Sequence, residues 1–321
     1  TAPWTLWRRM SGADEFGEIE RLFRPLTHGA AGAFDLLDDA AVVPQRPGFD
    51  LVVTKDAVVE GVHFPNGERP DLVARKLLRV NLSDLAAKAA EPFAAFLAVA
   101  WPTGFTPEQR AAFAAGLGED LEAFGVSLLG GDTVSTPGPL TASLTALGWV
   151  PEGRMVRRAG ARPGDLAMVS GVIGDGVLGL AAALGELADP DRQLLRRYQL
   201  PTPRLDLREA LRAQASAAVD VSDGLIADAG HIARASGVGL RLDLDRIPLS
   251  EAAAGWLAGQ ADQLSARVKL ATGGDDYEVV CTAPAPIAGL TVIGEVVAGA
   301  GVEVRQAGRI VDAGPGGWRH G

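Results

Sequence analysis

Apolar and polar positions follow two rhythms along the chain. Short runs rich in Val, Leu and Ala read as strands: "DLVVT" (50–54), "FLAVAW" (96–101), "SLLGG" (127–131) and "LTASLTALGWV" (140–150). Ala/Leu-rich stretches with helical spacing read as helices: "DLVARKLLRVNLSDLAAKAAE" (71–91) and "PEQRAAFAAGLGEDLEAFG" (107–125). Pro107 stands near the start of the second helix and Gly125 at its end. The later half repeats the mixture with "LAMVSG", "LDLREALRA", "AAVDVS", "DGLIADAGHIARASG", "GLRLDL" and "LTVIGEV". Strands and helices interleaved on this scale predict an α/β or α+β architecture. The basic, Gly/Pro-punctuated stretch "VPEGRMVRRAGARPGD" (150–165) reads as a linker, dividing the chain into domains 1–150 and 151–321.

Composition narrows the function classes. With 321 residues, 47% of them hydrophobic, the chain is long and apolar enough to bury two cores. Charges, Gly or Pro interrupt every apolar run before the roughly 18 residues of a membrane span, so no membrane association is expected. "TAPWTLWRRM" has neither an apolar h-region nor a cleavage pattern, so no signal peptide is expected either. The lone cysteine, Cys281, excludes an internal disulfide framework and suits the cytoplasm. A net charge of −10 and a pI near 5.0 argue against nucleic acid as a partner.

Acidic residues gather where elements are expected to end. In "AVDVSDGLIAD" (218–228), Ser222 or Asp223 could cap a helix that stops at Gly237, but capping leaves Asp220 unexplained. The functional reading gives Asp220 and Asp223 to cations, while free N–H groups at the helix start, helped by Gly224, meet phosphate oxygens. Asp38 and Asp39 precede an expected strand, and Thr54, Asp56 and Glu60 are expected to end another before His63. "NLSD" adds Asp84, "GGDT" adds Asp132, and "GGDDYE" adds Asp275, Asp276 and Glu278. Any one of these could be a solvated loop acid. Together they offer hard oxygen ligands, which select Mg²⁺, Mn²⁺ or Ca²⁺ over zinc or copper. His28, His63, His231 and His320 lack zinc-ligand spacing, so Mg²⁺ carrying phosphates is the expected ligand. No Walker A pattern occurs. "GDGVLG" (174–179) matches G-x-G-x-x-G after a strand, yet helical and then polar residues follow where a dinucleotide site needs a second strand. It reads as a turn. "VNLSD" (80–84) and "VDVSD" (219–223), each followed by "GGD", form an echo that common ancestry or coincidence would explain equally.

The segments "DEFGEIERLF", "DDAAVV", "TKDAVVEGVHF", "NLSDLAAKAAEP", "LLGGDT", "GRMVRRAGARPGD", "PTPRLDLREAL", "VDVSDGLIADAGHI" and "GGDDYE" resemble, in order, the signatures of the bacterial thiamine-monophosphate kinase family. The resemblance runs from about residue 14 to residue 280. It implies the two-domain fold shared with aminoimidazole-ribonucleotide synthetase and selenophosphate synthetase, with an N-terminal domain that pairs into a homodimer and a C-terminal α/β domain. It also implies ATP-dependent phosphorylation of thiamine monophosphate, with several Mg²⁺ ions. Position by position, Asp38, Thr54, Asp56, Asp84, Asp132, Asp220 and Asp223 are then metal ligands. Gly131, Asp132, Arg158 and Ser222 fall at ATP contacts, and His63, Asp275 and Trp318 at contacts with the thiamine phosphate. The chain departs from the family pattern at Lys55, where a small hydroxyl residue is usual, at "LLDD", which lacks a glycine, and at Asp275, where glutamate is usual. Two other readings stay open: a sister ATP-dependent synthetase of the same fold, and a non-catalytic nucleotide or thiamine-phosphate sensor.

Overall fold

Short π and 3-10 turns (Ile19–Phe23, Arg24–Thr27, Ala31–Leu36) lead into β1 (Phe49–Val59) in the computed structural model, which describes residues 16–314. The strand expected after Asp39 is absent. Pro44 and Pro47 cannot donate to a ladder, and the segment is tied down by Val42 N–H to the Gly32 carbonyl at 2.9 Å. Next come α1 (Pro70–Ala87), β2 (Glu91–Pro102), α2 (Pro107–Phe124), β3 (Ser127–Thr136) and β4 (Thr141–Pro151). The four strands form one sheet in the order β1-β4-β2-β3, with β2 and β3 parallel. α2 starts at a capping box, Thr106 and Gln109 each accepting the other's backbone N–H, and stops at left-handed Gly125. Both helices lie where the apolar spacing predicts.

The rest of the chain builds a seven-stranded sheet. Its elements are β5 (Leu166–Ser170), α3 (Asp175–Ala183), α4 (Gln193–Gln199), α5 (Arg208–Gln214), β6 (Ala217–Asp220), α6 (Leu225–Ser236) and β7 (Gly239–Asp243). Then follow α7 (Glu251–Ala258), α8 (Gln263–Thr272), β8 (Val279–Ala283), β9 (Leu290–Val297), β10 (Gly301–Gln306) and β11 (Arg309–Val311). The strand order is β11-β10-β7-β9-β5-β8-β6, and only β10 and β7 run parallel as neighbours. Val169, Val219, Val280, Ile293 and Leu240 from five of these strands pack with Ile232 of α6 into one buried core. Because β8 separates β5 from β6, the G-x-G-x-x-G segment has no adjacent parallel strand, and no dinucleotide fold forms. The echo of "VNLSD" in "VDVSD" has no structural counterpart. The first lies in the last turns of α1, where Leu77, Leu78, Leu82 and Leu85 carry a helical stripe, and the second crosses from β6 into a turn.

Backbone proximity divides the chain into two compact units. Of the described residues, the first takes in 16–47, Lys55–Leu78 and Pro92–Leu147. The second takes in Gly48–Thr54, Arg79–Glu91 and 148–314.

Where β9 passes β7, the approach requires a glycine: a Cβ on Gly294 would run into the Arg241 carbonyl. Gly294→Ala is therefore expected to destabilise the chain by about 1–3 kcal/mol, the usual cost of overpacking. Thermal or urea unfolding measures it, and an unchanged midpoint would contradict the packing described.

Candidate functional site

In the first unit three of the acids line a cavity of about 560 Å³, within the range of small-molecule sites. Phe16, Ile19, Phe23, Phe96 and Leu128 line it with apolar surface, while Asp38, Asp39 and Asp132 bring carboxylates. Gly131 and Asp132 lie within β3, not at its end. Gly131 pairs with Leu97 of β2, and a Cβ there would strike the Leu97 carbonyl, so glycine lets the two strands close. Asp56 likewise falls inside β1, which continues past it to Val59. Ser143 Oγ donates to the Asp56 carbonyl at 3.0 Å, fixing the backbone behind the carboxylate. Lys55 is exposed and reaches Thr145 Oγ1 at 3.5 Å; strand alternation sends it to the opposite face from Asp56. His63 has an orienting partner inside its own motif: Val59 N–H donates to Nδ1 at 3.1 Å. Nδ1 is thus an acceptor, and the neutral ring carries its proton on Nε2. Glu60 serves the loop itself, accepting from Gly67 N–H at 2.9 Å and Leu140 N–H at 3.3 Å.

A second set of acids gathers in the second unit. The Thr54 hydroxyl donates to the Asp84 carboxylate, and Ser83 Oγ donates to Asp220 Oδ2 at 3.0 Å. Asp220 is 4% exposed at the end of a strand buried throughout. Lys88, one helical turn beyond Asp84, donates to the Ala218 carbonyl at 2.7 Å. Burial pulls the Lys88 pKa down to about 8, against the attraction of Asp220 and Asp84 and with the repulsion of Arg158. Its position four residues after Asp84 was the signal that could have marked it.

The helix start beyond Asp220 differs from expectation. Neither Ser222 nor Asp223 caps α6. Gly224 is the N-cap, at φ 123°, and a Cβ there would lie 2.6 Å from the Thr272 carbonyl. The N–H groups of Asp223 and Gly224, expected to face phosphate, instead donate to Asp228 Oδ2 at 3.0 and 3.1 Å. The capping carboxylate comes from inside the helix, and it is buried. Burial, then the nearby charge of Asp223, push the Asp228 pKa up to about 7. Ligand atoms of Asp223, Asp228 and His231 lie within 4.8 Å of one another, a two-carboxylate, one-imidazole set that fits a divalent ion. The i+5 and i+8 spacing of Asp228 and His231 from Asp223 holds this grouping, which periodicity alone does not reveal.

The same arrangement recurs at α3. Asp276 accepts from Gly174 N–H with both oxygens and from Gly176 N–H with Oδ1, all at 3.0 Å, so the G-x-G-x-x-G turn is closed by the chain's own carboxylate. Beside it Glu278, fully buried, accepts from Ser170 Oγ at 2.5 Å and from the guanidinium groups of Arg197 and Arg204. Backbone bonds lace this loop to the acidic turn: Asp275 N–H to the Ser222 carbonyl at 2.9 Å, and Tyr277 N–H to the Val221 carbonyl at 2.8 Å. The structure thus brings Ser222, Asp223 and Asp275 into one neighbourhood, with Arg158 close enough to act on the charges of Asp228 and His231. Trp318 lies outside the described residues.

Comparisons with known proteins agree on one family. Residues 37–150 match the N-terminal domain of AIR synthase related proteins, and residues 162–313 match the C-terminal domain. A thiamine-monophosphate kinase of Caulobacter vibrioides is 57% identical over 319 residues, covering 96% of this chain and 91% of the relative. The crystal structure of thiamine-monophosphate kinase from Stenotrophomonas maltophilia is 40% identical, with a TM-score of 0.76 over 86% of this chain and 91% of that one. The structure of AaThiL complexed with AMPPCP and TMP is 31% identical, with a TM-score of 0.78 over 91% of this chain and 97% of that one. Among the described residues, no helix is long and apolar enough to cross a membrane.

Complete burial pushes the Asp276 pKa up to about 8, although two amide groups and Arg197 pull it down. A carboxyl whose folded pKa lies above its unfolded value contributes stability that is fully present below about pH 4 and is lost as pH rises to about 8. The unfolding midpoint of the wild-type chain, taken relative to non-titrating Asp276→Asn, is expected to fall across that window. Thermal unfolding at several pH values checks it, and a constant difference would contradict it.

Proposed function

The chain belongs to the thiamine-monophosphate kinases, within the AIR synthase related proteins, and on that footing we propose that it transfers the γ-phosphate of ATP to thiamine monophosphate, yielding thiamine diphosphate. The observation that carries this reading is the identity of 57% with such a kinase along 96% of the chain. The acceptor is a phosphate monoester with a second pKa of about 6, so its oxygen is already ionised near neutral pH and needs no general base. Repulsion between phosphates is the obstacle: two unit charges about 4 Å apart repel by roughly 4 kcal/mol at an effective dielectric of about 20.

The donor set fits several Mg²⁺ ions, because Asp38, Asp56, Asp84, Asp132, Asp220, Asp223 and Thr54 offer only oxygen. When bound, Mg²⁺ would supply the positive charge that offsets the repulsion between the phosphates. The chain's own residues hold the ligands in place. The Thr54 and Ser83 hydroxyls orient the Asp84 and Asp220 carboxylates, and Lys88 offsets part of their charge. Gly131, Asp132, Arg158 and Ser222 hold ATP. His63 offers Nε2–H to the substrate phosphate, its ring fixed by Val59, while Asp275 and Trp318 contact the thiamine phosphate. Transfer is direct and in line, without a phosphoenzyme. Cys281 supports this, since it is buried within β8 and burial pushes its thiol up to about 12.

The N-terminal domain, 1–150, binds nucleotide and metal and pairs into a homodimer, and 151–321 forms the C-terminal α/β domain. Support for pairing comes from the edge strand β1, which leaves Leu51 and Val53 40% and 56% exposed. A single, buried, free cysteine suits the cytoplasm.

Asp84→Asn and Asp223→Asn are expected to keep the fold, since asparagine preserves shape and can still accept a hydrogen bond. Turnover should fall beyond the roughly 10–100-fold typical of losing a group that supports a metal. Circular dichroism and a coupled assay with ATP and thiamine monophosphate test both. Near-normal turnover in both variants would reduce these acids to structural groups.

A further inference from the structure

Asp275 and Tyr277 adopt left-handed backbone conformations, at φ 65° and 50°, although neither is glycine. Each such residue costs about 1 kcal/mol or more, so the loop holds this shape only if its surroundings impose it. Most of the constraint converges on the residue between them. The Asp276 carboxylate, fully buried, makes three hydrogen bonds of 3.0 Å to the amides that open α3. Its carbonyl accepts from Arg197 at 3.2 Å. On the other side Gly176 leaves room for the loop: a Cβ there would strike the Gly274 and Asp275 backbone. An aspartate has a single methylene before its carboxyl group, so the backbone decides where that group points. The Tyr277 hydroxyl, 3.0 Å from Asp275 Oδ1, completes the orientation.

We infer that Asp276 is a positioning residue for substrate recognition: by plugging the start of α3 it fixes the left-handed turn that presents the Asp275 carboxylate to thiamine monophosphate. This rests on the kinase reading and on the substrate role of Asp275. A structural role alone would lower stability and the active fraction, leaving the KM of the folded enzyme unchanged. A positioning role raises KM for thiamine monophosphate and acts through Asp275.

The test is steady-state kinetics of the full chain carrying Asp276→Ala, Asp275→Ala or both, with each substrate varied in turn. Asp276→Ala is expected to raise KM for thiamine monophosphate about tenfold, on the scale expected for misplaced binding groups. KM for ATP should rise less than KM for thiamine monophosphate, since the loop reaches the ATP contact Ser222 only through its backbone, and the double variant should be no worse than Asp275→Ala alone. If Asp276→Ala does not fold, Asp276→Asn serves, because its amide nitrogen would face Gly174 N–H in place of an accepting oxygen; a smaller rise, about threefold, is expected. An active wild-type chain in which Asp275→Ala raises KM while the Asp276 variants do not would overturn the inference alone. So would additive effects, or equal effects on both substrates. A wild-type chain that leaves thiamine monophosphate unphosphorylated would overturn the kinase reading and the inference with it.

Discussion

Two helix starts in the second unit are occupied by buried aspartates of the same chain, Asp228 beneath α6 and Asp276 beneath α3. A helix N-terminus carries roughly half a positive charge and unsatisfied N–H groups, and a carboxylate satisfies both. Burial raises both pKa values, so each carboxyl sits against a desolvation cost that its amide partners only partly offset. What this arrangement secures is geometry. The turn 221–224 and the loop 273–278 are bonded to each other, and each is pinned by its own aspartate. It also occupies the amides of Gly174, Gly176, Asp223 and Gly224, which could otherwise meet a phosphate.

With those amides taken, the proposed reading leaves cations held by the carboxylates to grip the phosphates. The chain carries a net charge of −10, and several of its carboxylates stand in small groups that like-charge repulsion opposes. Hydroxyl donors and one half-buried lysine relieve part of this. Thr54 and Ser83 each donate to a carboxylate, and the Lys88 ammonium sits near Asp84 and Asp220 at a cost visible in its lowered pKa. Divalent cations are the natural remaining counterions for an all-oxygen set. In the first unit the pattern is simpler: an apolar cavity wall ends in Asp38, Asp39 and Asp132, a lining suited to a ligand with an apolar body and a cationic or cation-complexed end.

Much of the fold was legible in the sequence because its signals are local. The Leu stripe of α1 and the Pro107 and Gly125 boundaries of α2 give those helices away, and Val-rich runs mark the strands. The structure brings some of the expected acids together, Asp38 and Asp132 on one cavity and Asp84 and Asp220 beside Lys88. Their contexts were less legible. β1 and β3 run on past Asp56 and Asp132, since strand length is set by pairing with β4 and β2 and not by the residues themselves. The capping of α6 could not be read from Ser222 and Asp223, because the deciding group, Asp228, reaches back from within the helix. The Asp276 bonds to Gly174 and Gly176 join positions about a hundred residues apart, which no local pattern encodes. The G-x-G-x-x-G match was correctly set aside on its sequence context, and the strand order supplies the physical reason.

The proposed dependence of phosphate binding on carboxylate-held cations can be measured directly. Calorimetric titration with the non-hydrolysable nucleotide AMPPCP, in Mg²⁺ and again in EDTA at equal ionic strength, separates binding through metal from binding through backbone amides. With the starts of α3 and α6 closed by Asp276 and Asp228, affinity should fall to the limit of detection in EDTA and return when Mg²⁺ is restored. Equal affinity in the two buffers would contradict the arrangement, placing the nucleotide's phosphates on groups of the chain itself.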